Sequence, residues 1–333
     1  MIAFDRVSAG RAPRSLANVT LEWGAGVHSI VGRAEDGGPL VLVLMARGGR
    51  LRAGSIRVLD GAPGDGRTRK RVAHVPIEAA LPDGLRVDEM LDVATTLRGD
   101  PPADATERLA ALGIEMLARR SVRSLSHGET RAVALVEALT SRQVRVVLIE
   151  EPLSAIDGRA AGRLAEALRA KARTGCAVVF TTSSLRDAGE LASDHVMMQG
   201  GAVIARVPSL ETWMAAAPAG TSIVILVQDG PDARAVSARL AAEMDVSAVE
   251  HEGPVVRARG REPLALARAA GRAALDAGVV VLEIRIESPS LEDARIASAG
   301  IAAAAYERAR PRVPADNVPT RPAVAEPEVD GPR

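Results

Sequence analysis

Lysine is nearly absent from this chain: of 42 basic side chains, only Lys70 and Lys171 are lysines. Cysteine occurs once, at Cys176, which excludes an internal disulfide framework and fits a reducing compartment. Charge of one sign is not in excess. The 42 basic and 42 acidic side chains cancel, so nothing draws the protein globally to nucleic acid or anionic lipid, and no nucleic-acid partner is expected. No apolar run approaches the roughly 18 residues that a membrane span requires. Met1 to Gly10 lacks the basic start and long apolar core of a signal peptide. The expected location is cytoplasmic, with any membrane role exercised through partners. Aromatics make up 2% of residues, and none lies between Phe4 and Trp23. What remains is 333 residues with 47% hydrophobic content, enough for a substantial core and, on length, for two domains. No internal repeat is visible.

The stretch Ser124–Asp157, SLSHGETRAVALVEALTSRQVRVVLIEEPLSAID, carries the most chemistry. Ala132, Leu135, Val136 and Leu139 have helical spacing, and Ser126 stands three residues before Glu129 as in a capping box. The preceding loop therefore ends in unpaired backbone N–H groups at the positive end of a helix, an arrangement suited to an anion. Val144 to Ile149 reads as a β-branched strand ending in Glu150 and Glu151, stopped by Pro152 and followed by Ser154-Ala155-Ile156-Asp157.

Together these segments resemble the ATP-binding cassette (ABC) ATPases. LSHGE (125–129) is similar to their signature loop, VVLIEE (146–151) to their Walker B strand and SAID (154–157) to their D-loop, in the family's order and spacing. The resemblance implies an α/β fold: a P-loop NTPase-like core with a helical subdomain at about 84–140. It also implies use of ATP and Mg²⁺, a role for Ser126, Gly128, Glu129 and Asp157 at a nucleotide held by a second subunit, and a role for Glu151 as general base. Glu150 falls where the family has a metal-side aspartate. His127 occupies a signature position that varies in the family.

Upstream, Val27 to Gly32 reads as a strand entering a glycine-rich loop, Gly32-Arg33-Ala34-Glu35-Asp36-Gly37-Gly38-Pro39. Gly32 and Gly37 have P-loop spacing, but Gly38 stands where the family has lysine and Pro39 where it has serine or threonine. Lysine supplies charge to the β and γ phosphates, the hydroxyl holds Mg²⁺, and successive N–H groups cradle the oxygens. Pro39 has no N–H, yet suits the first turn of a helix, so the fold survives what the ligand site does not. Glu35 and Asp36 add carboxylates; at about 5 Å and an effective dielectric near 20, each repels a unit negative charge by roughly 3 kcal/mol. Neither lysine is near the loop, and Arg33 is its one cation.

By the same resemblance, Ile77 replaces the Q-loop glutamine, Ser183 replaces the switch histidine, and the adenine-stacking aromatic is missing near Arg11. The losses fall on the subunit's own cradle; the residues presented to a neighbour's nucleotide remain. Beyond Leu191–Arg206, read as closing strands, and a boundary near Pro218–Gly220, the pattern strand, helix, two strands, helix, strand (Ile223–Ile286) predicts a small ferredoxin-like βαββαβ domain. Ser290-Leu291-Glu292-Asp293 is similar to a helix ending the C-terminal domain of many bacterial exporter ATPases. The expected organisation is 1–208 ABC ATPase-like, 209–220 linker, 221–308 α+β and 309–333 a disordered tail.

Three functions fit. The first is a nucleotide-binding subunit of an ABC exporter with a degenerate site of its own. It would complete the site of a partner ATPase with an intact P-loop, beside an integral membrane permease, with ATP and Mg²⁺ bound mainly by that partner. The second is an active ATPase with a non-standard cradle. The third is an inactive ABC-fold scaffold or regulator.

Overall fold

A computed structural model describes residues 1–12, 14–154, 158–210, 221–260 and 262–287. Asp157 and Ser290–Asp293, named above, lie outside the described residues, as does most of the expected linker and all of the expected tail. The described part holds three sheets. β1 (Ile2–Arg11), β2 (Arg14–Trp23) and β4 (Leu51–Val58) form an antiparallel sheet in the order β2-β1-β4. A six-stranded sheet runs β5-β6-β7-β3-β8-β9. Its members are β3 (Gly26–Val31), β5 (Val72–Val75), β6 (Val146–Glu150), β7 (Ala177–Thr182), β8 (Asp194–Gln199) and β9 (Ala202–Val207); all pairs are parallel except β8 with β9.

The parallel strands are apolar throughout because both faces are covered. Val146 to Ile149 are all fully buried. Ile30, Val146, Leu148 and Val179 pack with α1 (Gly38–Arg47) beneath the three-stranded sheet. Val147, Ile149, Val178 and Phe180 face α3 (Val87–Arg98), α4 (Ala105–Ala110), α5 (His127–Thr140) and α6 (Gly158–Arg173). Two short helices, α2 (Gly66–Lys70) and α7 (Leu185–Leu191), complete this part. Because the central strands are parallel, the loops after β3, β5, β6 and β7 gather at one sheet end, where α/β folds bind ligands.

The predicted βαββαβ order is present: β10 (Thr221–Val227), α8 (Gly230–Leu240), β11 (Ala248–Glu252), β12 (Val255–Gly260), α9 (Pro263–Ala277) and β13 (Val281–Glu287), with an antiparallel sheet β11-β12-β10-β13. Alternation in the sequence marks the first, second and fourth strands only over Ile2–Val7, Val19–Trp23 and Ser55–Leu59, and their ends in the structure differ. β1 and β2 run on to Arg11 and Arg14, because register shifts beside Arg6 and Asn18, both at positive φ, break the alternation without ending the pairing. β4 begins at Leu51, since its first half is mostly exposed and carries little apolar pattern.

A charge cluster ties β3, β8 and β9 together. Asp194 accepts from Arg206 Nε and Nη2 at 3.1 and 2.8 Å and lies 2.9 Å from His28 Nδ1. Burial alone would raise the Asp194 carboxyl; the bonds from His28 and Arg206 outweigh it and hold the group well below the usual carboxylate range. A depressed folded-state pKa gives stability that is present above the unfolded value, about 3.9, and lost as pH falls. Asp194→Asn is thus expected to cost about 2 kcal/mol near pH 7 in urea unfolding. The gap to the parent should shrink below about pH 4; a gap independent of pH would refute the role of the charge.

Candidate functional site

The loop after β3 leads through a single turn into a helix. Ala34–Asp36 form a 3-10 turn, Gly37 sits at φ 98°, and α1 starts at Gly38 with Pro39 in its first turn. Gly37 is required by that backbone angle and by close contact with Leu16 and Ser15. At Gly38, a Cβ would lie 3.0 Å from Thr181 Cγ2 and 3.3 Å from Ile30 Cγ2, so a side chain there would need these methyls to give by a few tenths of an ångström.

The expected repulsion from Asp36 is corrected by the structure. Asp36 is buried and accepts from the backbone N–H groups of Arg33 at 2.8 Å and Gly200 at 3.0 Å, pinning the loop to the β8–β9 turn. Neither Asp36 nor Glu35 lines the cleft of about 470 Å³ that opens at the strand ends. The cleft's charged lining is instead Arg14, Arg33, Glu78, Glu150 and Glu151, three acids against two bases.

The two carboxylates at the end of β6 turn to opposite neighbours. Glu150 accepts from the Ile77 N–H at 3.3 Å, and its Oε1 lies 3.5 Å from His74 Nε2. The His74 ring, aided by Ile77 and Arg131 and opposed by burial, holds this carboxyl below its ordinary range. Glu151, at φ 43°, accepts from Thr182 Oγ1 at 3.1 Å and from the Ser183 N–H at 2.9 Å. Burial pushes its carboxyl up, and those two bonds only partly offset the shift. Among the described residues, no group of three or more His, Cys, Asp or Glu side chains is placed to hold a metal ion. With no ammonium at Gly38, no hydroxyl at Pro39 and a cleft with excess acid, these residues do not fit a magnesium-bound triphosphate on the chain's own loop.

The signature-like loop is intact. Ser126 caps α5: its Oγ accepts the Glu129 N–H at 3.2 Å while Glu129 Oε2 accepts the Ser126 N–H at 2.8 Å. Arg120 clamps the turn, donating to Glu129 Oε1 and to the Ser124 carbonyl, each at 2.6 Å. The Ser126 N–H, ahead of the ion pair, lowers the Glu129 carboxyl. Ser126 and His127 remain exposed, and neither they nor Gly128 line the cleft that Gly32, Gly38, Glu150 and Glu151 share.

Arg131 was not singled out from the sequence, yet it joins the two halves of the site. Its side chain is fully buried. Nη1 donates to the carbonyls of Pro76 and Ile77 at 2.8 and 2.9 Å; Nη2 donates to those of Glu150 and, at 2.7 Å, Glu151. The readable signal was an arginine on the helix face of Leu135 and Leu139, four and eight residues on. Arg14 and His74 were likewise missed, each lying in a strand with no local mark of function.

No family model matches the chain. It is 32% identical over 229 residues to a putative ABC transporter ATP-binding protein of Streptomyces avermitilis, covering 67% of this chain and 39% of that protein. It is 32% identical over 200 residues to the molybdenum import ATP-binding protein ModC of Rhizobium johnstonii, covering 56% and 55%. Over 123 residues it is 36% identical to the Fe(3+) ions import ATP-binding protein FbpC of Streptomyces coelicolor, covering 37% and 35%. The chain thus spans about half the length, or less, of these curated relatives. Among solved structures, the ATP binding subunit of an ABC transporter superposes with TM-score 0.57 at 20% identity over 64% of this chain and 91% of that one. The dimeric bacterial ABC transporter cassette MJ0796 gives 0.55 at 17% identity, over 62% and 98%. The fold is that of the ABC transporter ATPases, a mixed α/β P-loop NTPase architecture.

Arg131→Met should destabilise the protein by at least about 3 kcal/mol in denaturant unfolding, because it leaves several buried carbonyls without donors. A loss below about 1 kcal/mol would show that water replaces the guanidinium.

Proposed function

We propose that this chain is an ATP-binding-cassette subunit of an ABC transporter that acts in trans. In this reading its own ATP site is degenerate, and it lends Ser126, Gly128, Glu129 and Asp157 to a nucleotide held by an intact partner. The observation that carries this reading is the contrast within one molecule. The signature-like loop is fully capped and exposed, whereas the loop after β3 offers neither a lysine nor a hydroxyl at Gly38 and Pro39, and the carboxylates of Glu150 and Glu151 are engaged by backbone N–H groups. A homodimer built the family's way would pair each sound loop with a degenerate cradle; a heterodimer would hold one working site. ATP and Mg²⁺ would be bound by the partner, and a membrane permease would be the third component. The ATPase part would comprise 1–208, joined through 209–220 to a second domain at 221–308 and a tail at 309–333. Among the described residues no helix is long and apolar enough to cross a membrane, which agrees with attachment through partners. Two of the relatives reported above are named for import, of molybdenum and of iron, and the third only as a putative ABC transporter ATP-binding protein; the exporter reading rests on the similarity of Ser290-Leu291-Glu292-Asp293 to the helix that ends the small C-terminal domain of exporter ATPases.

Isolated protein should bind ATP no more tightly than about 1 mM by calorimetry, because several contacts worth roughly 1–3 kcal/mol each are missing. A Kd of a few micromolar with Mg-ATP would instead favour an active ATPase with a non-standard cradle.

In a reconstituted complex with the partner ATPase, Ser126→Arg blocks the approach of the loop to the partner's γ-phosphate. Activity should fall at least tenfold, since one lost transition-state donor costs about 3 kcal/mol. Ser183→Ala, which keeps the backbone N–H that Glu151 uses, should leave the rate unchanged. Insensitivity to both substitutions would establish the scaffold reading; equal sensitivity would establish a two-site enzyme.

A further inference from the structure

The four-stranded sheet ends on an open strand. β13 hydrogen-bonds to β10 on one side, and among the described residues no strand pairs with its other side. Its sequence, VLEIRIE, alternates apolar and charged residues, and Leu282, Ile284 and Ile286 are 61%, 47% and 53% exposed. Ile284 and Ile286 pair with Ile225 and Ile223, which are core residues beneath α8 and α9. They therefore lie on the helix-covered face, at an edge the helices leave open. An open apolar edge is a template for another strand.

The charges on β13 decide which strand fits. Two copies can meet antiparallel about a two-fold axis, and directly opposed residues share a face. With the axis through Ile284, each Ile284 faces its counterpart and Glu283 faces Arg285 twice over; Leu282, at the bulge in the β10–β13 pairing, comes opposite Ile286, and Val281 opposite Glu287. An axis through Arg285 sets Arg285 against Arg285 and Glu283 against Glu287. An axis through Glu283 opposes like carboxylates, and an axis between residues sets apolar against charged side chains. The Ile284 register alone matches apolar with apolar and acid with base at the centre of the contact, residues 282–286.

We propose that β13 is a self-association edge, joining two copies of this chain through the Ile284 axis into one antiparallel sheet of four strands from each copy. The contact is isologous, so a single patch serves both copies and closes the assembly at two. A contact made by one strand edge from each copy falls at the small, transient end of interface sizes, below the roughly 1,600 Å² of a standard interface, so a weak association is expected. β13 belongs to a hydrophobic core separate from that of α5 and the cleft, so the association does not depend on the action in trans proposed above.

The test is sedimentation of the full chain at about 100 µM, a concentration high enough to populate a weak dimer. The parent is expected to be dimeric. Glu283→Arg and Arg285→Glu should each weaken the dimer at least tenfold by opposing like charges, and the double variant Glu283→Arg/Arg285→Glu should restore it by regenerating both pairs. Ile284→Cys should form a disulfide-linked dimer under oxidised glutathione, because the native Cys176 is fully buried and does not compete. The side chains are exposed, so thermal melts of the variants should match the parent and separate lost association from unfolding. A monomer at this concentration, or a dimer indifferent to the single charge changes, would overturn the proposal. So would a full chain that is monomeric but dimerises when ended at residue 287, which would mean that residues 288–333 cover the edge.

Discussion

A single buried guanidinium holds this site together. Arg131 carries its charge from the second turn of α5 into the sheet end, where four carbonyls from two loops converge on it. Burial lowers its affinity for its proton, and Glu150 and Glu151 nearby work against that loss. A charge in such a place is tolerated only when its donors are used, and four of them are. The consequence is mechanical. The helix that begins at the exposed Ser126 loop, the residues after β5 and the acidic end of β6 are tied together, because shifting any of them would leave buried carbonyls without this donor.

Around that clamp the cleft is satisfied from within. Asp36 is spent on the N–H groups of Arg33 and Gly200, Glu150 on Ile77, and Glu151 on Ser183 and Thr182. A loop that serves a triphosphate must keep donors in reserve for it. Here carboxylates outnumber guanidinium groups along the lining. The Ser126 loop is organised in the opposite sense: its polar groups are fixed by Glu129 and Arg120, and its outer surface is left to solvent. The carboxylates beside the cleft are engaged from within and the Ser126 loop faces outward, a contrast that fits the action in trans proposed above.

The sequence by itself determined what depends on near neighbours along the chain. The capping box at Ser126 and Glu129 spans three residues. The parallel strands announce themselves as apolar runs, and the βαββαβ order follows from alternating periodicities, so all of these were legible. That Gly38, Pro39, Ile77 and Ser183 stand where the family has lysine, a hydroxyl, glutamine and histidine is what the resemblance implies from motif spacing along the chain. Strand ends were less legible: β1 and β2 outrun their apolar pattern through bulges, whose cost is repaid by pairing partners elsewhere.

Only the tertiary structure decided where the charges go. Asp36 reads as a carboxylate facing phosphate until Gly200, 164 residues away in sequence, claims it. Glu150 and Glu151 are adjacent in the chain and alike in chemistry, yet strand order sends one toward β5 and the other toward β7, lowering one carboxyl and raising the other. Arg131 looks like a surface arginine until the carbonyls of Pro76 and Ile77, more than fifty residues upstream, surround it. The openness of β13 is likewise a property of the sheet order. The physical reason is common to all four: spacing along the chain encodes which elements form, whereas desolvation and hydrogen-bond satisfaction are set by whatever the fold places alongside.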